Sequence, residues 1–108
     1  MKHVVVVLTE PTVGREDEYN TYYEDLHIDE VLESTGWLSG QRFKLSAEQG
    51  MSCPLPYLAI YELEADDAQA ALDHLNATRD KRVQSEALNK RTAGVWVFSE
   101  IGPRHERE

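Results

Sequence analysis

The stretch from Glu18 to Leu32, EYNTYYEDLHIDEVL, begins as an amphipathic helix and changes phase at a histidine. It holds three of the chain's five tyrosines. At about 100° per residue, Tyr19, Tyr22, Tyr23 and Leu26 share one stripe, whereas Ile28, Val31 and Leu32 centre on nearly the opposite side. One straight helix cannot bury both sets. Continued unbroken, the first stripe would carry Glu30 into the core, where an unpaired carboxylate is strongly disfavoured. A bend or break at His27–Asp29 is therefore predicted. His27 then lies at the edge of a tyrosine-rich face, four residues beyond Tyr23 and beside it on the helix surface.

Around this segment the apolar pattern gives six elements. His3 to Thr9 is a Val/Leu run that reads as a strand buried on both faces. Pro11 and Gly14 end it, and Glu16-Asp17-Glu18 suits the first turn of a helix, where carboxylates meet the positive end of the helix dipole. Gly36 closes that helix. Trp37 to Ser46 and Tyr57 to Glu64 alternate as strands, separated by a loop that holds Gly50, Pro54 and Pro56. Asp66 or Asp67 can cap a second helix with the stripe Ala68, Ala71, Leu72 and Leu75. After a polar return with a short helical piece, Ala93 to Ile101 is a fourth strand, apolar on both sides.

The order βαββαβ is the ferredoxin-like arrangement: an α+β fold with a four-stranded antiparallel sheet and two helices on one face. Residues 1–103 form the single domain and 104–108 a short frayed tail. With both helices on one face the other is left open, yet the first and fourth strands are apolar on both sides. A second copy packed sheet to sheet is the expected cover. A chain of 108 residues is also near the lower end of sizes that bury a sufficient core alone.

The formal charge of −9 opposes nucleic acid and anionic membranes, and the basic residues form no stripe. Neither is an expected partner. The longest apolar run, Val4 to Leu8, is too short to cross a bilayer, and the N-terminus lacks a signal-peptide pattern, so a cytoplasmic protein is expected. The single cysteine, Cys53, reads as a free thiol. No His/Cys/carboxylate set has convincing metal-ligand spacing, and phosphate-binding glycine loops and a Gly-x-Ser-x-Gly nucleophile are absent. No metal and no cofactor are expected.

Tyr19, Asn20, Tyr22, Tyr23, His27 and Ile28 stand in the order aromatic-Asn-x-Tyr-Tyr-three residues-His-Ile, followed by Gly36-Trp37 and Gln41-Arg42-Phe43. This pattern resembles the EthD-like branch of the dimeric α/β-barrel superfamily. Asp29 and Thr35 stand where that pattern has prolines. The resemblance covers residues 16–46 closely and the rest in architecture. It implies that the sheet-to-sheet dimer is a barrel and that His27 faces a ligand cleft.

His27 is the leading acid/base candidate, because imidazole accepts or donates a proton near neutral pH and a semi-apolar cleft tunes it. Tyr23 is its expected donor or orienter. Tyr19 and Tyr22 offer phenols or stacking surfaces, unless their stripe is simply core. Arg42 points either into the cleft, where its fork would hold a carboxylate or enolate oxygen, or into the dimer interface; an ion pair with Glu62 is the alternative. Tyr61 and Phe43 are expected to floor the cleft and Trp37 to pack or form a wall. His74 is a secondary candidate on the polar side of the second helix.

These residues suggest a homodimeric, cofactor-independent lyase, isomerase or cyclase that binds a small apolar or aromatic ligand. Aromatic, lactone and polyketide-like molecules all suit such a cleft. A non-catalytic ligand-binding or accessory protein of EthD-like type and a cofactor-independent oxygenase are the alternatives. Fold similarity does not choose among them.

Overall fold

A computed structural model describes residues 1–108. Strand β1 (Lys2–Thr9) is followed by helix α1 (Glu16–Tyr22), a π-helical turn (Tyr23–His27) and helix α2 (Ile28–Thr35). Strands β2 (Ser39–Lys44) and β3 (Tyr57–Glu64), helix α3 (Ala68–Ala77), a short 3₁₀ turn (Arg79–Lys81) and strand β4 (Gly94–Ser99) complete the chain. The sheet order is β2-β3-β1-β4 with every neighbour antiparallel. This is the expected ferredoxin-like fold.

The helical run from Glu16 to Thr35 resolves the phase conflict without a break. Backbone dihedrals stay right-handed helical through Tyr22, Tyr23, His27 and Ile28. Ile28 N–H donates to the carbonyl of Tyr23, five residues back, so the helix takes in one extra residue there. In a regular helix Tyr23 and Ile28 would sit about 140° apart. Across the wider turn they align, and Tyr19, Tyr23, Ile28 and Val31 form one buried stripe. The predicted break at His27–Asp29 is thus a change of register within Tyr23–His27. The extra residue also pushes Leu26, assigned to the stripe from the sequence, out to 38% exposure. Gly36 ends α2 in the left-handed conformation at φ 77°, returning its N–H to Leu32.

On the sheet, His3, Val5 and Thr9 of β1 and Ala59, Tyr61 and Leu63 of β3 are buried beneath the helices. The register pairs Val5 with Tyr61 on one side and with Val97 on the other. His3 serves the framework: Nδ1 bonds Ser99 Oγ at 2.8 Å and Nε2 the Ala65 carbonyl at 3.0 Å. Asp67 caps α3 by accepting from Gln69 N at 3.1 Å. The opposite sheet face carries Val4, Val6, Ile60, Phe43, Trp96 and Phe98, with the last three 45%, 45% and 57% exposed.

Deleting Asp25, an exposed residue of the π turn, should convert the run to a regular helix while keeping both apolar sets in line. Thermal unfolding should show a loss well below the roughly 3–5 kcal/mol of a buried-aromatic truncation such as Tyr23→Ala. A larger loss than in Tyr23→Ala would mean that the turn does not serve to align the stripes.

Candidate functional site

The π turn brings His27 against Tyr22 instead of leaving it to Tyr23 alone. The two rings stack with centroids 5.1 Å apart, while the Tyr23 ring meets the imidazole edge-on at 4.8 Å. Tyr22 Oη lies 3.0 Å from His27 Nδ1 and 2.6 Å from the carbonyl of Val83. A phenol has one proton, and the carbonyl can only accept, so Tyr22 donates to Val83 and accepts from His27 Nδ1–H. This fixes the tautomer and leaves Nε2 as the bare nitrogen. Tyr61 Oη alone among buried side-chain nitrogens and oxygens lacks a partner, so the unbonded Nε2 is reached by solvent.

Val83 belongs to an irregular strap that crosses the helices. Its N–H donates to Glu30 Oε1 at 2.9 Å, so one residue of the strap is held by both Tyr22 and Glu30. That contact satisfies the carboxylate whose position made a straight helix untenable. Farther along, Thr12 N donates to the Ala87 carbonyl at 2.6 Å and Asn89 N to that of Glu10 at 3.0 Å, tying the strap beside the end of β1.

Before Val83 comes Arg82, a buried cation that the sequence reading missed. It is 7% exposed, and no carboxylate lies within 4 Å of its guanidinium. Nη1 donates to Ser34 Oγ at 2.9 Å and Thr78 Oγ1 at 2.8 Å, and Nη2 to the Leu75 carbonyl at 2.8 Å. The charge therefore sits between the C-terminal ends of α2 and α3, where helix dipoles favour it. Nothing in its polar neighbourhood, Thr78-Arg79-Asp80-Lys81, signals burial.

Burial first, and the Arg82 charge second, push the His27 imidazole down to a pKa of about 4. At neutral pH it is uncharged. Burial likewise raises Tyr22, Tyr23 and Tyr61, the last to about 12. For Tyr23, the nearby Tyr61 phenol adds to the rise.

The remaining predicted residues separate. Tyr19 is fully buried, bonded to Thr9 Oγ1 at 2.5 Å. Arg42 lies on the helix side of the sheet, neither in the open face nor paired with Glu62. It donates to Asn20 Oδ1 at 2.6 Å and to Glu24 Oε1 at 3.3 Å, over the rings of Tyr19, Tyr23 and Tyr57. Glu62 faces the other way, 3.6 Å from Lys2 Nζ. Phe43 does not share a cleft with Tyr61: it pairs with Leu58 on the open face, while Gly40 pairs with Tyr61 beneath the helices. Trp37 packs on Tyr61 and lines a separate cavity of about 510 Å³ with Leu63, Ala71 and His74. His74 Nε2 bonds the Thr35 carbonyl there at 3.1 Å, apart from His27. No cluster of three or more His, Cys, Asp or Glu side chains is arranged to hold a metal ion.

A cavity of about 590 Å³ opens beside Tyr22, Leu26 and Val83, with Asp17, Glu18 and Asp25 also lining it. Tyr22 is the partition between this cavity and His27.

Comparison with solved structures identifies the architecture. A dimeric ferredoxin-like protein of unknown function from Jannaschia sp. CCS1 superimposes with a TM-score of 0.62 at 13% identity, over 93% of this chain and 100% of the other. An ethyl tert-butyl ether d (EthD) family protein from Bacillus halodurans C-125 does so with a TM-score of 0.57 at 9% identity, over 94% and 100%. The chain shares the ferredoxin-like fold of these two proteins. No family model and no curated protein matches the sequence. No helix is long and apolar enough to cross a membrane.

His27 supplies a pH test within this ferredoxin-like fold. Its folded pKa of about 4 lies below the ordinary value of 6.5, so between these values the unfolded chain binds more protons. Stability present above pH 6.5 is therefore lost as pH falls toward 4. The His27 part of that loss is on the order of 3 kcal/mol. Urea unfolding across this range should show it as the difference between wild type and His27→Gln, which has no proton to gain. Parallel pH profiles for the two proteins would contradict the half-buried neutral imidazole.

Proposed function

We propose that this chain is a homodimeric small-molecule enzyme that moves a proton next to a carbonyl, with His27 Nε2 as the base. The observation that carries the reading is the Tyr22 bridge between His27 Nδ1 and the Val83 carbonyl, which orients one tautomer and leaves the other nitrogen bare. In the proposed step a substrate carbon gives its proton to Nε2. The C–H electron pair forms a carbon–carbon double bond, and the carbonyl π electrons move to oxygen as an enolate. Return of the proton to another atom completes an isomerisation; loss of a leaving group completes an elimination.

A base with a pKa of about 4 is weak, so the reading favours substrates whose C–H is already acidic. Aromatic or polyketide-like β-dicarbonyl compounds have that property. The acidic rim of the cavity beside Tyr22 favours molecules that arrive uncharged.

With pentane-2,4-dione as probe, a β-dicarbonyl that is uncharged at neutral pH, exchange of its central hydrogens should be accelerated by the wild type and slowed by about 10²–10⁴-fold in His27→Ala. His27→Gln should be equally slow, whereas Tyr23→Phe should change the rate far less. Wild-type exchange in folded His27→Ala would remove His27 from the chemistry. One feature favours a second reading, a binding protein without turnover: Tyr22 stands between His27 and the neighbouring cavity. Binding of the dione with no accelerated exchange would select it.

The homodimer rests on the open sheet face, where Trp96 and Phe98 of β4 stand beside Val6 and Val4 of β1. A second copy would cover them, and the Jannaschia protein with the same fold is dimeric. Trp96→Glu should yield monomers in sedimentation at micromolar concentration, because a carboxylate would enter the apolar interface. A monomeric wild type would end the dimer proposal.

A further inference from the structure

Tyr61 Oη is the one buried side-chain polar atom without a hydrogen-bond partner, and its residue is 2% exposed. Such an unmet donor is disfavoured, and phenylalanine would fill the space without it. The ring is also held in place. A Cβ on Gly40 would stand 2.8 Å from its Cδ1 and Cε1 and 3.1 Å from Ile28 Cγ2, so only glycine opposite leaves room for the ring. Trp37 packs against it with centroids 5.6 Å apart. The result is a fixed hydroxyl whose one polar neighbour, the Tyr23 phenol, is not placed to complete a hydrogen bond with it.

Its electrostatic setting is positive. The guanidiniums of Arg82 and Arg42 both act on the phenol, and Arg82 is the same cation that disfavours a proton on His27. Burial keeps the phenol protonated at neutral pH, so it is a donor there. Tyr23 neighbours both groups, edge-on to His27 and beside Tyr61.

We propose that Tyr61 Oη donates to the carbonyl oxygen of the bound ligand and holds that oxygen as it becomes an enolate. The assignment rests on the carbonyl-substrate reading above and adds where the oxygen goes. The ligand class is a small, flat, uncharged molecule whose oxygen becomes negative when a proton leaves. Because the hydroxyl is closed to solvent, side chains must move to admit the ligand, and association should be slower than a diffusional encounter.

The test uses p-nitrophenol, whose phenolate imitates an enolate and has its own absorption band, and 4-nitrotoluene, which lacks the oxygen. At a pH below the probe's own pKa, wild-type protein should bind p-nitrophenol with the phenolate band appearing. Tyr61→Phe should weaken that binding by about 10–100-fold, the effect of losing a hydrogen bond to a charged group, and abolish the band. Its affinity for 4-nitrotoluene should be unchanged and its melting temperature no lower than wild type. Equal p-nitrophenol affinity in wild type and Tyr61→Phe overturns the assignment, as does a wild type that binds neither probe. His27→Ala separates the two readings, because it should lose dione exchange yet still bind p-nitrophenolate. If exchange survives in His27→Ala while Tyr61→Phe loses the phenolate band, the base reading fails and the Tyr61 assignment stands.

Discussion

The widened turn at Tyr23–His27 is the feature on which the rest of the molecule depends. It sets Tyr19, Tyr23, Ile28 and Val31 along one buried stripe although their spacing does not suit a regular helix. The same extra residue makes Tyr22, five positions back, the hydrogen-bond partner of His27. Packing and site geometry thus share one cause. π turns inside helices recur at functional positions for this reason: they turn a side chain to a direction that a regular helix would deny it.

The strap at Arg82–Val83 completes the site from the far side. Val83 anchors Tyr22 through its carbonyl and Glu30 through its N–H, and Arg82 sits between two helix ends. Its charge is met by carbonyl and hydroxyl oxygens with no carboxylate. The field therefore remains positive around His27 and Tyr61. An imidazolium is disfavoured there, and a developing oxyanion is favoured.

The sheet keeps its two tasks apart by strand alternation. Gly40, Ala59 and Tyr61 face the helices, while Phe43, Leu58 and Ile60 face the open side. Apolar residues on that side leave the first and fourth strands with a surface suited to a second copy, separate from the His27 cluster under the helices. Mutations on the two faces should accordingly act separately.

Much of this was legible in one dimension. Alternation in Tyr57–Glu64, the two-sided apolar run Ala93–Ile101, a capping aspartate at 66 or 67 and the Gly36 stop give the element order and hence the sheet, because each rests on local periodicity or backbone conformation. The phase conflict near His27 was also visible, together with the histidine as its focus. Its solution was not. Whether a chain resolves such a conflict by breaking or by widening one turn depends on what the helix packs against, and that comes from β1 and β3. Tyr22 in place of Tyr23 as the partner of His27 follows from that register change. Arg82 and the orphaned Tyr61 hydroxyl lie further beyond reach: burial of a cation and isolation of a donor are properties of surroundings drawn from distant parts of the chain. The sequence by itself determined the elements, their order and the histidine. Tertiary structure decided which groups meet it, because hydrogen bonds and electric fields depend on distance in space, whereas periodicity depends on position along the chain.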